Sequence, residues 1–174
     1  MRILVAGIGN IFFGDDAFGV EVVRELMQRE PAAQVRIADF GIRSYDLAYA
    51  IMDGYDATIL VDVTQRGGPP GTLYLVELDP GDMNTAEPEL PDAHSMNPAA
   101  VLRMVKTLGG EPGRMFYLVG CEPANLEPDD CQFGLSEIVR NAIPQAVEMV
   151  ETLVRDLLRE NSVHAKGGEE HVLL

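Results

Sequence analysis

Three acids and one histidine fall where α/β proteins do their chemistry. Asp16 enters a helix from a Gly-rich turn, while Asp39 and Asp62 end the apolar runs Val35-Arg36-Ile37-Ala38 and Thr58-Ile59-Leu60-Val61. Ligands of open α/β sheets bind outside the carboxyl edge of the strands, so these acids are expected to emerge together on that edge. His94 follows a long acidic loop and precedes a predicted helix, from which it can fold back over the same edge. It is the only histidine before the tail, where His164 and His171 lie. Two carboxylates and an imidazole form an O,O,N set suited to a borderline divalent cation such as Ni²⁺ or Zn²⁺. Spacing alone leaves a plainer alternative open. Strand-end Asp residues commonly tie neighbouring turns, and a loop histidine is commonly just solvated or hydrogen-bonded.

These residues need a sheet to hold them. Five short apolar runs, Ile3–Ala6, Val35–Ala38, Thr58–Val63, Thr72–Val76 and Met115–Val119, are bounded by Gly, Pro or Asp and read as strands buried on both faces. Helical spacing recurs between them. Val20, Val23 and Met27 follow Gly19, and Asp46–Met52 forms a second short candidate. Asn97-Pro98 supplies a cap and a first-turn proline for a helix to about Leu108, where Gly109-Gly110 stops it. Ser136 caps a last segment in which Pro144 is expected to start or kink the continuation, with Ile143, Val147, Val150, Leu153, Val154 and Leu157 holding a 3.6-residue stripe. The alternation predicts a single-domain three-layer α/β sandwich over residues 1–160, with a mostly parallel twisted sheet of about five strands and helices on both faces. Residues 161–174 carry no continuing stripe and are expected to form a flexible tail. The acidic segment from Leu78 to Asp92 holds Pro80, Pro88 and Pro91 and is long for a βα connection, which marks it as functional or disordered.

The first turn, Gly7-Ile8-Gly9-Asn10-Ile11-Phe12-Phe13-Gly14-Asp15-Asp16-Ala17-Phe18-Gly19, departs from a dinucleotide fingerprint, whose third glycine would fall at Phe12. Asp15 is expected to cap the helix, with Asp16 favourably placed in its first turn against the dipole. Gly7, Gly9 and Gly41 permit either tight turns or close approach to an extended ligand. No Ser or Cys is partnered as a nucleophile. Cys121 and Cys131 lack a second internal histidine, and Ser95 and Ser136 read as loop and cap.

Charge narrows the partners. With 13 Lys+Arg against 28 Asp+Glu the net charge is −15, which excludes polyanion binding because phosphate neutralisation needs a basic face. Hydrophobic content is 47% and charged content 24%, an ordinary globular balance with no stretch near the roughly 18 apolar residues of a membrane span. Met1–Ala6 runs straight into the Gly-rich turn with no secretory pattern, and the two cysteines fit no C-x-x-C motif. A cytoplasmic location with reduced thiols is therefore expected.

Taken in order, Gly7-x-Gly9-Asn10, Gly14-Asp15-Asp16, Gly19, Asp39-x-Gly41, the strand ending in Asp62 and the loop bearing His94 resemble the hydrogenase maturation proteases. The resemblance runs from residue 1 to about Arg159, through Gly71-Thr72, Val119-Gly120-Cys121-Glu122-Pro123 and Gly134-Leu135-Ser136. It implies an endopeptidase that removes a C-terminal extension from the nickel-loaded precursor of a nickel-iron hydrogenase large subunit. It further implies metal engagement by Asp16, Asp62 and His94, with the nickel presented by the precursor rather than permanently bound. Asp16 and Asp39 are the candidate catalytic acids. Either the metal polarises the scissile carbonyl or activates a water, or it only docks the substrate while Asp16 serves as general base. The segment Asp39-Phe40-Gly41-Ile42-Arg43 differs from the Asp-Gly-Gly-Thr form of some members, a difference that bears on substrate fit. A non-catalytic chaperone holding the immature large subunit is the alternative.

Overall fold

A computed structural model describes residues 1–79, 98–126 and 134–167. Five strands, β1 (Ile3–Ile8), β2 (Val35–Gly41), β3 (Ala57–Val63), β4 (Leu73–Glu77) and β5 (Met115–Cys121), form one sheet in the order β2-β1-β3-β5-β4. The pairings β2·β1, β1·β3 and β3·β5 are parallel, and β4 closes the far edge antiparallel to β5. Four helices, α1 (Phe18–Met27), α2 (Ser44–Met52), α3 (Pro98–Thr107) and α4 (Glu137–Gly167), complete the fold.

Alternation along the strands sorts the core into two halves. Ile3, Val5, Ile59 and Val61 pack with Phe18, Val22 and Leu26 of α1 and with Val139, Val147 and Val150 of α4. The intervening Leu4, Ala6, Ile8 and Leu60 pack with Leu47 and Ile51 of α2 and Val101 and Val105 of α3. Helices thus cover both faces, as parallel strands buried on both sides require. The three-layer, mostly parallel arrangement expected from the alternation is what the chain adopts.

The last helix, α4, runs further than its apolar stripe. Of the two expectations for Pro144, a new start or a kink, the first does not hold: it lies inside α4, which forgoes one backbone hydrogen bond there and continues past it. The helix also extends beyond residue 160 to Gly167, into the segment expected to be a flexible tail, with Ser162 Oγ donating to the Leu158 carbonyl at 2.8 Å. The end of an apolar stripe marks where a helix stops packing, which need not be where it stops. Residues 168–174 lie outside the described set, as do residues 80–97 and 127–133, which include most of the acidic loop.

The feature that positions the site is the descent of the first turn onto the sheet. Residues 14–17 form a short 3₁₀ turn leading into α1. A Cβ on Gly19 would stand 2.0 Å from the Val61 carbonyl oxygen and 2.4 Å from that of Ile8, so the start of α1 rests directly on the ends of β3 and β1. At Gly9, with φ +129°, a Cβ would fall 1.7 Å from the Asp16 carbonyl oxygen. Both contacts are open only to glycine.

Gly19→Ala is expected to lower unfolding free energy by on the order of 3 kcal/mol, because backbone atoms rather than a pliable side chain must move. Gly54→Ala, at φ +80° with nothing within 4 Å, should cost only about 1 kcal/mol for its left-handed backbone. Urea denaturation of the two variants checks the contrast.

Candidate active site

Asp62 is the penultimate residue of β3 and only 5% exposed. Its Oδ1 accepts from the Val63 amide at 2.8 Å. Asp16, partly buried, accepts from the Asn10 amide through Oδ2 at 2.6 Å. Asn10 also organises the turn itself: its Oδ1 accepts from Phe12 N–H at 3.0 Å, and its carbonyl accepts from Phe13 N–H at 3.0 Å. The Asp16 amide in turn donates to the Phe13 carbonyl at 3.0 Å. The role of Asn10 in presenting an N–H to Asp16 was not foreseen from sequence, although Asn followed by a Gly-bounded turn is a signal for this geometry.

Asp16 and Asp62 converge as a like-charged pair. Burial raises the Asp16 carboxyl above its ordinary value, offset in part by the Asn10 hydrogen bond. Burial lifts Asp62 much further, the negative charge of Asp16 adds to the rise, and the Val63 N–H offsets part of it. Neither carboxylate forms an ion pair with Arg or Lys among the described residues. Two poorly solvated carboxylates with no counter-charge constitute a place where a cation or a proton is favoured. Among the described residues no third ligating side chain completes a metal cluster, and His94, the expected third member, lies outside them.

Asp39 sits apart from this pair. Asp39 pairs with Gly7, which pairs on its other side with Val61, so its Cα is two strand spacings, about 10 Å, across the sheet from the end of β3. Alternation places it on the α1 face, whereas Asp62 follows the phase of Leu60 on the α2–α3 face. Its Oδ2 meets the Arg24 guanidinium at 3.5 Å. It lines a groove of about 400 Å³ with Gly9, Asn10, Ile11, Phe12 and Ile42. Ile11, Phe12 and Ile42 along this groove, and Phe13 next to Phe12 in the chain, are large apolar side chains left exposed.

Asp15 does not cap the helix. Neither the 3₁₀ turn nor α1 has a side-chain cap at its start. Its carboxylate, 1% exposed, turns instead toward the far side of the sheet and accepts from Ala124 N–H, Asn125 N–H and both the amide and hydroxyl of Ser136. An acid at a helix start reads locally as a cap; the long-range donors decided otherwise. Ser136 does cap α4, its Oγ accepting from Val139 N–H at 3.4 Å.

A second buried carboxylate braces the exit of β3. Glu122 accepts from the amides of Arg66 and Gly67 at 2.9–3.1 Å and from the Tyr74 hydroxyl at 2.9 Å. Burial alone would raise its carboxyl, but the Arg66 amide, Tyr74 hydroxyl and Gly67 amide outweigh that and hold it below the ordinary value. Beside it, burial and the charges of Asp15 and Glu122 push the Cys121 thiol up to about 12, which leaves it a poor nucleophile. Cys131 lies outside the described residues.

The structure is thus a mostly parallel α/β domain with a glycine-seated first turn and, among the described residues, a carboxylate pair at its carboxyl edge that no Arg or Lys neutralises. A sequence model described as hydrogenase maturation protease matches residues 20–153. The hydrogenase 2 maturation protease of Escherichia coli is 33% identical over 90% of this chain and 92% of its own. The hydrogenase expression/formation protein HupD of Rhizobium leguminosarum is 34% identical over 88% of this chain and 74% of its own. The solved hydrogenase maturating endopeptidase HybD from E. coli superposes with TM-score 0.70 at 30% identity, covering 90% of this chain and 93% of its own. The chain belongs to the hydrogenase maturation protease family. No helix among the described residues is long and apolar enough to cross a membrane.

Asp62→Asn keeps an acceptor for Val63 and removes a buried charge, so it is expected to stabilise the fold near neutral pH by on the order of 1 kcal/mol, or about 2–4 °C in Tm. The sign follows from the raised pKa. Ionisation of Asp62 is favoured in the unfolded chain, so its penalty is absent below the unfolded value and grows as pH rises toward the folded one. Thermal melts of wild type and variant should therefore converge toward about pH 4.

Proposed function

We propose that this protein is the endopeptidase that removes a C-terminal extension from the nickel-loaded precursor of a nickel-iron hydrogenase large subunit. The observation that carries the reading is the uncompensated Asp16–Asp62 pair, in a chain of this family. Its donor chemistry fits a borderline divalent cation, since two carboxylate oxygens held by single N–H donors retain free lone pairs. The nickel belongs to the precursor, and its positive charge is what the pair lacks. Asp16, Asp62 and, from the loop, His94 are the groups proposed to engage it.

Hydrolysis asks this chain to orient a peptide and to move a proton. Asp16 is the more open of the two acids and is proposed as the group that accepts a proton from water. Asp62, oriented by the Val63 amide, is proposed as the second carboxylate facing the cation. Asp39 is proposed as a second acid on the substrate path, along the groove where Ile11, Phe12 and Ile42 offer apolar contact to an extended segment. The chain is proposed to work in the cytoplasm.

The test is the intact mass of large-subunit precursor after incubation with this protein, with and without nickel. A mass decrease confined to nickel-loaded precursor is expected, with Asp16→Asn slowed at least 100-fold, in line with loss of a general base, and Asp39→Asn slowed less. Formation of a complex with no mass loss would favour a chaperone. Processing at the wild-type rate by Asp16→Asn would end the reading.

A further inference from the structure

We propose that Asp15 is the positioning residue of the site, a buried clamp that holds the first turn against the repulsion between Asp16 and Asp62. The inference rests on the proposed function for its activity readout, but its geometry stands independently.

Both oxygens of the clamp are engaged. Asp15 Oδ2 accepts from Ala124 N–H at 2.8 Å, from Asn125 N–H at 3.1 Å and from Ser136 Oγ at 3.0 Å, while Oδ1 accepts from Ser136 N–H at 2.7 Å. An ionised carboxylate offers about four acceptor sites and no donor; with three donors on Oδ2 and one on Oδ1, both oxygens are engaged and Oδ2 is fully occupied. The donors come from more than 100 residues away in sequence, from the segment after β5 and from the residue that caps α4. One side chain thereby ties together the first turn, the end of β5 and the start of α4.

The adjacent residue shows why such a tie is needed. Asp16 on the first turn and Asp62 on β3 carry like charge, and the turn packs directly against that strand. The turn bearing Asp16 is free to relieve that repulsion by lifting from β3 unless it is held elsewhere. On the β1 side the holds are the Gly9 contact and the Asn10 amide. Asp15 supplies the hold on the opposite side, across β5. An asparagine in its place would turn an NH₂ toward amide donors on one side or the other, so a near-isosteric change breaks the clamp while leaving the volume intact.

The test compares Asp15→Asn with Val105→Ala, a truncation in the α2–α3 half of the core, at temperatures where both are folded. Amide hydrogen exchange at Asn10, whose N–H reports the Asp16 contact, is read in the isolated protein. Cleavage of nickel-loaded precursor is read as kcat and KM separately. Asp15→Asn should speed Asn10 exchange at least tenfold and lower kcat/KM at least tenfold. Val105→Ala, whatever its loss of Tm, should leave both within twofold. Should Asp15→Asn fail to fold, Ser136→Ala removes one of the four donors and should move both readouts in the same direction by a smaller factor. Exchange and cleavage unchanged in the Asp15 variant, or changed equally by Val105→Ala, would overturn the clamp. If the wild type cleaves nothing while Asn10 exchange still follows Asp15, the function fails and the clamp stands.

Discussion

Everything at the site depends on one close approach, the seating of Gly19 on the carbonyl oxygens of Val61 and Ile8. A helix that begins this near the strand ends carries the preceding 3₁₀ turn over the carboxyl edge, and with it two consecutive acids. A single methyl group at position 19 would hold that turn away from β3. The glycine is therefore less a source of flexibility than a condition for two carboxylates to meet.

The two acids of that turn do opposite things. Asp15 is surrounded by four donors and is inert by satisfaction, whereas Asp16 has one strong N–H contact and a like-charged neighbour. Buried charge is tolerated where hydrogen bonds replace water, and it remains reactive where they do not. Glu122 repeats the first solution at the loop after β3, gathering the Arg66 and Gly67 amides and the Tyr74 hydroxyl. Asp62 thus lies between two braced loops, with its neighbourhood fixed and its own charge uncompensated. Such an arrangement costs stability and suits a group whose partner arrives on another protein.

The acidic excess of the chain takes on a more particular meaning in this light. Acids such as Asp46 and Asp53 lie on the surface in exposed ion pairs, which contribute little. The acids that matter structurally are few and buried: Asp15, Asp62 and Glu122. Composition alone assigns them all to one class, because a count carries no information about hydrogen-bond donors.

The sequence by itself determined the layers and the edge. Strands and helices differ in apolar period, so the runs ending at Asp39 and Asp62 and the stripe through Val147 and Val150 were legible without coordinates. The ordered motifs likewise carried the family. Tertiary structure alone decided which acids meet. Asp39 and Asp62 end similar runs, yet strand phase and register put them on opposite faces. Asp15 and Asp16 are neighbours, yet donors from residues 124, 125 and 136 claim only the first. Periodicity is local and can be read along the chain, whereas the partners of a buried carboxylate come from wherever the fold brings them.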